Sequence, residues 1–286
     1  MKKPCMLSLR ELSHIKIGED ASHLYFPKSF DDVINLYQKY HNTNKILPLG
    51  GCSNILFGNT EHFVLISDKY IPWKFTLEKT KEDNNLLTVS PNININVLIK
   101  KLAEYNLGGL EFLSGIPANM GGLVAMNAGA YQKQIGDYVH SVKVANQDGI
   151  KTFRKEDCRF SYRKSSINGF IVEITLNVEK IDKEIVLCKM KENIEKRKKS
   201  QPLNMPNIGC FFKNPENNSA GRLIDSCGLK GYAVGDAMVS YEHANFLINK
   251  GQASFKEMLT LIDKIKSEVK NKYNIDLELE IKVINE

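Results

Sequence analysis

Between Gly108 and Gly136 the chain carries a density of small residues that few folds can use. The central stretch reads Leu110-Glu111-Phe112-Leu113-Ser114-Gly115-Ile116-Pro117-Ala118-Asn119-Met120-Gly121-Gly122-Leu123-Val124-Ala125-Met126-Asn127-Ala128-Gly129-Ala130-Tyr131. Long polar side chains are almost missing from it. Backbone free of bulk can wrap closely around a flat or charged ligand. A glycine-rich core loop is the plain alternative, and it leaves unexplained why small and apolar residues persist from Leu110 to Tyr131. Upstream, the apolar strand Ile46-Leu47-Pro48-Leu49 runs into Gly50-Gly51-Cys52-Ser53-Asn54. Adjacent glycines let the chain bend and bring N–H groups toward a phosphate, with Ser53 and Asn54 adding polar contacts. The segment is neither a Walker A loop nor a Rossmann fingerprint. Taken alone, it reads as a tight turn between two buried strands.

Around these loops, strand and helix patterns alternate. Ser29 opens a helix with Val33, Ile34, Tyr37 and Tyr40 on one face. Another helix runs from about Asn96 to Asn106, stopped by Gly108-Gly109. Phe170, Val172, Ile174, Leu176 and Val178 alternate with polar positions as a half-buried strand. Helices follow over about 183–199, 219–227 and 254–273, the last opened by a Ser254…Glu257 capping box. The chain closes with Leu277, Leu279, Ile281 and Val283 on one strand face and Glu278, Glu280 and Lys282 on the other. The expected class is α+β, in modules 1–78, 79–200 and 201–276, with 277–286 joined to the first. The polar turn at Lys79–Asn85 and the prolines Pro202 and Pro206 mark the boundaries.

Composition narrows the function. With 42% hydrophobic and 25% charged residues the chain is an ordinary globular one, not a disordered or fibrous one. No apolar stretch is long enough to span a bilayer, and residues 1–11 lack the apolar core of a secretory signal. Six scattered cysteines without a Cys-x-x-Cys pair argue against a metal site and are expected as free thiols in a reducing cytoplasm. A net charge of +6 suits a protein that handles anions, although solvated lysine explains most of it. The basic run Lys196-Arg197-Lys198-Lys199 complements a helix C-terminus. Without a recognisable module or interleaved aromatics, nucleic acid is not an expected partner. Neither is a membrane or an obligate protein partner.

Two further segments carry reactive groups: Cys158-Arg159-Phe160-Ser161-Tyr162-Arg163 and Asn207-Ile208-Gly209-Cys210-Phe211-Phe212-Lys213-Asn214-Pro215. Arg163 could clamp a carboxylate bidentately. Lys213, three residues beyond Cys210, would favour its thiolate. A lone arginine is usually a surface residue and a lone cysteine usually packing. Together, in this order and spacing, the four segments resemble one family, UDP-N-acetylenolpyruvoylglucosamine reductase, across nearly the whole chain. The carriers are Gly-Gly-Cys-Ser-Asn, Ser-Gly-Ile-Pro-x-x-x-Gly-Gly followed by Asn-Ala-Gly-Ala-Tyr, then Tyr-Arg, and Gly-Cys-Phe-Phe-Lys-Asn-Pro.

The resemblance implies a split FAD-binding unit of the vanillyl-alcohol-oxidase type, followed by a C-terminal α+β domain for a UDP-sugar. It implies non-covalent FAD, with Gly50, Gly51, Cys52, Ser53 and Asn54 at the pyrophosphate and Gly115, Ile116, Pro117, Gly121 and Gly122 along the flavin. NADPH is the implied hydride donor. The implied catalytic residues are Arg163, Cys210 and Glu280, with Tyr162 beside the substrate carboxylate and Asn214 beside the diphosphate. Strand alternation alone does not choose between Glu278 and Glu280. The family's Leu-Glu-Pro-Glu-Val-Arg pattern picks Glu280, with Leu279 where proline is usual. Three residues depart from the family's habit: Cys52 replaces a third glycine, Glu19 follows Ile17-Gly18 where another glycine is common, and Cys210 stands where many members carry serine. No segment is long enough for the extra tyrosine-bearing loop of one subclass, so the shorter subclass fits.

The implied reaction reduces an enolpyruvyl group. Arg163 and Glu280, the latter as the neutral acid, would stabilise the enolate, and Cys210 would donate the last proton. A thiol is a far stronger acid than a serine hydroxyl, so the replacement is chemically sensible. Two other readings stand beside this one: another FAD-linked oxidoreductase of the same superfold, and a non-catalytic binding protein for an anionic ligand.

Overall fold

The computed structural model describes residues 8–79 and 85–286. The polar turn read as a module boundary, at residues 80–84, and the first seven residues, read as lacking a secretory signal, lie outside the described residues. The chain forms two compact units. One holds His23–Gly51 and His62–Glu195, the other 8–22, Cys52–Glu61 and Lys196–Glu286.

The first unit is built on two sheets. Three parallel strands lie in the order Leu24–Tyr25, Phe63–Ser67, Lys45–Leu49. Pro48 is tolerated because its strand is at the sheet's edge, where no ladder needs its missing N–H. The helix Phe30–Tyr40 is capped by the Ser29 hydroxyl, which accepts from the Asp32 N–H at 3.1 Å. The Asp32 carboxylate in turn accepts from the Lys28 N–H at 3.1 Å, one residue before the position a reciprocal capping box would use. Val33, Leu36 and Tyr37 of this helix pack with Val64 and Ile66, and with Ala145, Phe170 and Val172 of the second sheet. That apolar layer gathers residues on both sides of residue 79 into one unit.

The second sheet is antiparallel, in the order Gly149–Arg154, Val139–Asn146, Phe170–Lys180, Asn85–Val89, Phe75–Lys79. The alternation seen at Phe170–Val178 puts Ile174, Leu176 and Val178 into a core with Leu98, Ile99 and Leu102 of the helix Ile95–Glu104. The helix Lys183–Ser200 is polar along most of its length and buries only Val186 and Met190.

In the second unit an antiparallel sheet runs Asn207–Cys210, Phe246–Asn249, Ala237–Val239, Ala233–Val234. The helix Phe255–Tyr273 starts on the expected capping box, the Ser254 hydroxyl and Glu257 carboxylate each accepting the other's backbone N–H. It drives Met258, Leu261, Ile262 and Ile265 into a core with Phe211, Phe212 and Leu247. The closing strand is shorter than the alternation predicts. Only Lys282–Ile284 forms a ladder, parallel to Ile55–Phe57. Among the described residues no helix is long and apolar enough to cross a membrane, and Cys52, Cys158, Cys188, Cys210 and Cys227 are free thiols.

Candidate active site

In the first unit the two glycine loops meet. Leu49 is opposite Ser67 in the parallel pair, so Gly50 and Asp68 leave the sheet side by side at its carboxyl edge. A Cβ on Gly50 would stand 3.9 Å from the Gly122 nitrogen, and one on Gly51 would stand 3.6 Å from the Pro117 carbonyl oxygen. Asn96 pins the second loop: its Oδ1 accepts from the Gly115 N–H at 2.7 Å and its Nδ2 donates to the Ile116 carbonyl at 3.1 Å. Gly115 itself has φ +82°, which glycine adopts without strain. Leu49, Gly50, Asp68, Pro91, Gly121 and Gly122 line a cleft here.

The two adjacent glycines of this loop differ in kind. A Cβ on Gly121 would strike Pro91 at 2.8 Å, whereas one on Gly122 meets nothing within 4 Å. Packing demands the first glycine. The second leaves open space in a cleft of bare backbone, as a cofactor lying against the chain requires. Gly122→Leu is therefore expected to fold normally and to weaken FAD binding roughly five- to a hundredfold, since the side chain would fill the cradle at about 1–3 kcal/mol. Flavin fluorescence quenching on the stripped protein measures it, and affinity unchanged from the parent would show that the cleft is not the cradle.

Cys52, Ser53 and Asn54 belong to the second unit. Cys52 has φ +50°, a conformation that costs a non-glycine residue on the order of 1–2 kcal/mol. The Asn54 amide donates to the Glu280 carbonyl at 3.2 Å, and Lys282 donates back to the Asn54 carbonyl at 2.9 Å. These bonds tie the loop to the segment that carries Glu280.

Arg163 stands in a tight turn of the first unit with φ +56°, closed by Ser161 and Lys164. Its guanidinium lies 5.2 Å from the centre of the Tyr162 ring, and Tyr162 is exposed. A Cβ on Gly129 would stand 3.2 Å from one Arg163 terminal nitrogen, so the bare glycine makes room for the guanidinium. Buried Asn127 holds the turn. Its Nδ2 donates to the Ser161 carbonyl and to Gln134 Oε1, both at 2.8 Å, and its Oδ1 accepts from the Gly136 N–H at 2.9 Å. The Asn-Ala-Gly-Ala-Tyr motif contained this residue without revealing its partners.

Cys210 ends the strand Asn207–Cys210 and is half-buried. Beyond it, Phe211, Phe212 and Lys213 run antiparallel to Glu278, Leu279 and Glu280. Lys213 donates to the Glu278 carbonyl and Glu280 donates to the Phe211 carbonyl, each at 2.8 Å, with Phe212 bridged to Leu279. Asn245 fixes the same backbone, accepting from the Phe212 N–H at 2.9 Å and donating to its carbonyl at 2.8 Å. Glu280 is thereby set opposite Phe211, next in chain to Cys210, although 70 residues separate them in sequence. The Lys213 ammonium pairs with the Glu278 carboxylate at 3.1 Å. Asn214 is exposed and accepts from the Ala220 N–H at 3.0 Å, a helix-capping bond.

Sequence reasoning missed Asp68. Burial pushes its carboxyl up to about 7, against the opposing hydrogen bond from Asn119.

Comparison with known proteins fits this architecture. A profile of the FAD-binding domain matches residues 21–153, and one described as the C-terminal domain of UDP-N-acetylenolpyruvoylglucosamine reductase matches residues 201–284. The UDP-N-acetylenolpyruvoylglucosamine reductase of Chloroherpeton thalassium is 36% identical, over 97% of this chain and 91% of the relative. That of Bacillus subtilis is 35% identical, over 94% and 90%. The crystal structure of the Thermus caldophilus reductase superposes with a TM-score of 0.82 at 32% identity, covering 98% of each chain. Cholesterol oxidase of B. sterolicum shares the fold over 59% of this chain, with a TM-score of 0.50 and 18% identity. A split FAD-binding unit of the vanillyl-alcohol-oxidase type, followed by a separate C-terminal α+β domain, defines an FAD-dependent oxidoreductase. The glycine cradle fits that cofactor. The chain belongs to the UDP-N-acetylenolpyruvoylglucosamine reductase family.

Proposed function

We propose that the chain reduces the enolpyruvyl group of UDP-N-acetylglucosamine enolpyruvate to UDP-N-acetylmuramate, a step of peptidoglycan precursor synthesis, with Arg163, Cys210 and Glu280 as its catalytic residues. The observation that carries the reading is the pairing of segments 211–213 and 278–280, which sets Glu280 beside the Cys210 segment in the C-terminal domain. Bound FAD supplies the relay of two electrons from NADPH to the vinyl methylene carbon. As hydride reaches that carbon, negative charge collects on its neighbour and is shared with the substrate carboxylate. Arg163 holds that carboxylate through its planar fork, with Tyr162 alongside, and Glu280 stabilises the growing enolate. The thiol of Cys210 then gives its proton to the carbanionic carbon, completing the lactyl group, and solvent reprotonates the sulfur. Asn214 is the proposed contact to the diphosphate of the UDP-sugar. Gly50 to Asn54 and Gly115 to Gly122 hold the cofactor. A reaction drawing on NADPH and a UDP-sugar belongs in the cytoplasm, and calls for no nucleic acid, membrane or obligate protein partner.

The purified protein is expected to be yellow, and acid is expected to release one equivalent of FAD. With oxygen excluded, NADPH beyond the one equivalent that reduces the flavin is consumed only after the enolpyruvyl substrate is added. Colour that stays with the precipitate would mean a covalent flavin. NADPH oxidation indifferent to that substrate would point instead to a different oxidoreductase of the same superfold.

A further inference from the structure

Asp68 is a buried carboxyl with no role in the reaction. The strand Phe63–Ser67 runs parallel to Lys45–Leu49, and the Asp68 N–H donates to the Leu49 carbonyl at 2.9 Å. The residues that follow these strands, Asp68 and Gly50, therefore emerge together at the carboxyl edge of the sheet. The Asp68 side chain is 5% exposed, lines the cleft, and places Oδ2 3.5 Å from where a Cβ on Gly50 would stand. Asn119 supplies a hydrogen bond, and among the described residues no lysine or arginine pairs with it. Burying a carboxyl without a cation costs stability, and the cost is recovered only if a ligand brings donors to it.

The surroundings indicate which donors. In sheets of parallel strands, ligands bind in the crevice beyond the carboxyl ends. A glycine turn after one strand takes a diphosphate, and an acidic residue at the end of a neighbouring strand takes the vicinal hydroxyls of an attached sugar. Gly50-Gly51 and Asp68 repeat that arrangement on adjacent strands of this non-Rossmann sheet.

We propose that Asp68 accepts hydrogen bonds from sugar hydroxyls flanking the FAD diphosphate, and so fixes where the cofactor lies along the cleft. The proposal rests on the reading that Gly50 and Gly51 meet that diphosphate and that the loop at Gly122 lies along the cofactor. Two parts of FAD carry the same chemistry, the ribose of its adenosine half and the ribityl chain of its flavin half.

The test uses the full-length protein stripped of flavin, titrated with FAD and with FMN. Asp68→Asn keeps the shape and loses the charge, and it is expected to weaken FAD binding roughly ten- to a hundredfold, the range for a hydrogen bond to a charged group. FMN affinity left unchanged would assign the adenosine ribose. An equal loss for FMN would assign the ribityl chain, and either result upholds the proposal. The stripped Asp68→Asn protein is expected to melt no lower than the parent at pH 8, because the substitution removes a desolvated charge, so weaker binding cannot be put down to misfolding. Asp68→Ser supplies a second, smaller variant with the same expected direction. FAD affinity within threefold of the parent in both variants, while Gly122→Leu loses FAD, would overturn the role of Asp68 and leave the cradle intact. Parent-like affinity in Gly122→Leu as well would overturn the cradle and this proposal with it.

Discussion

Cys210→Ala protein is expected to lose its yellow colour with NADPH at the parent rate and then to stall with the enolpyruvyl substrate. Removing a positioned general acid costs typically a hundred- to ten-thousandfold, and the loss should fall entirely on the second half-reaction. Cys210→Ser should keep measurable turnover, because a hydroxyl delivers the same proton from a weaker acid. The two variants also separate under oxidation. A half-buried thiol open to a ligand can be oxidised, so the parent should lose activity in peroxide and the serine variant should resist. The competing account is that Cys210 only packs beside Phe211 and Phe212, as buried cysteines often do. Stopped-flow absorbance decides. An alanine variant that recovers its flavin colour with substrate and forms product at the parent rate would show that the proton comes from elsewhere.

Arg163→Lys is expected to lose roughly thirty- to a thousandfold in kcat, equivalent to about 2–4 kcal/mol of transition-state stabilisation. Lysine keeps the charge but not the planar fork that meets both oxygens of a carboxylate. Gly129 leaves room beside a terminal nitrogen, and Asn127 anchors the turn through the Ser161 carbonyl. Reaction with NADPH should be untouched, since no substrate carboxylate is present in that half. Turnover within a few-fold of the parent would remove Arg163 from the carboxylate.

The alternation that located the strand Phe170–Lys180 worked because both faces of that strand have their environment set over consecutive residues. The same alternation misled at the chain's end. Leu277 and Ile281 are buried as it requires, yet the segment around Glu280 makes only a short pairing with 211–213 before the ladder at Lys282–Ile284 begins. Burial pattern records which side of an extended chain meets apolar neighbours. It does not record whether the backbone has a partner strand.

Sequence by itself determined the chemistry available: a guanidinium, a thiol, a carboxyl and two glycine loops, each carried by a short run of residues whose order is legible without coordinates. It also determined the class of fold, because helix caps and period-two alternation are local properties of the chain. Only the tertiary structure told Glu278 and Glu280 apart, pairing the first with Lys213 and setting the second opposite Phe211. Only it separated Gly121, held against Pro91, from Gly122, which faces open space. Asp68 was beyond the reach of sequence for the same reason. After an apolar run, Ser67-Asp68-Lys69 reads as a polar turn at the surface. In the fold it is buried and takes a hydrogen bond from Asn119, some fifty residues away, and burial decides whether a carboxyl is a solvated charge or a ligand-seeking one.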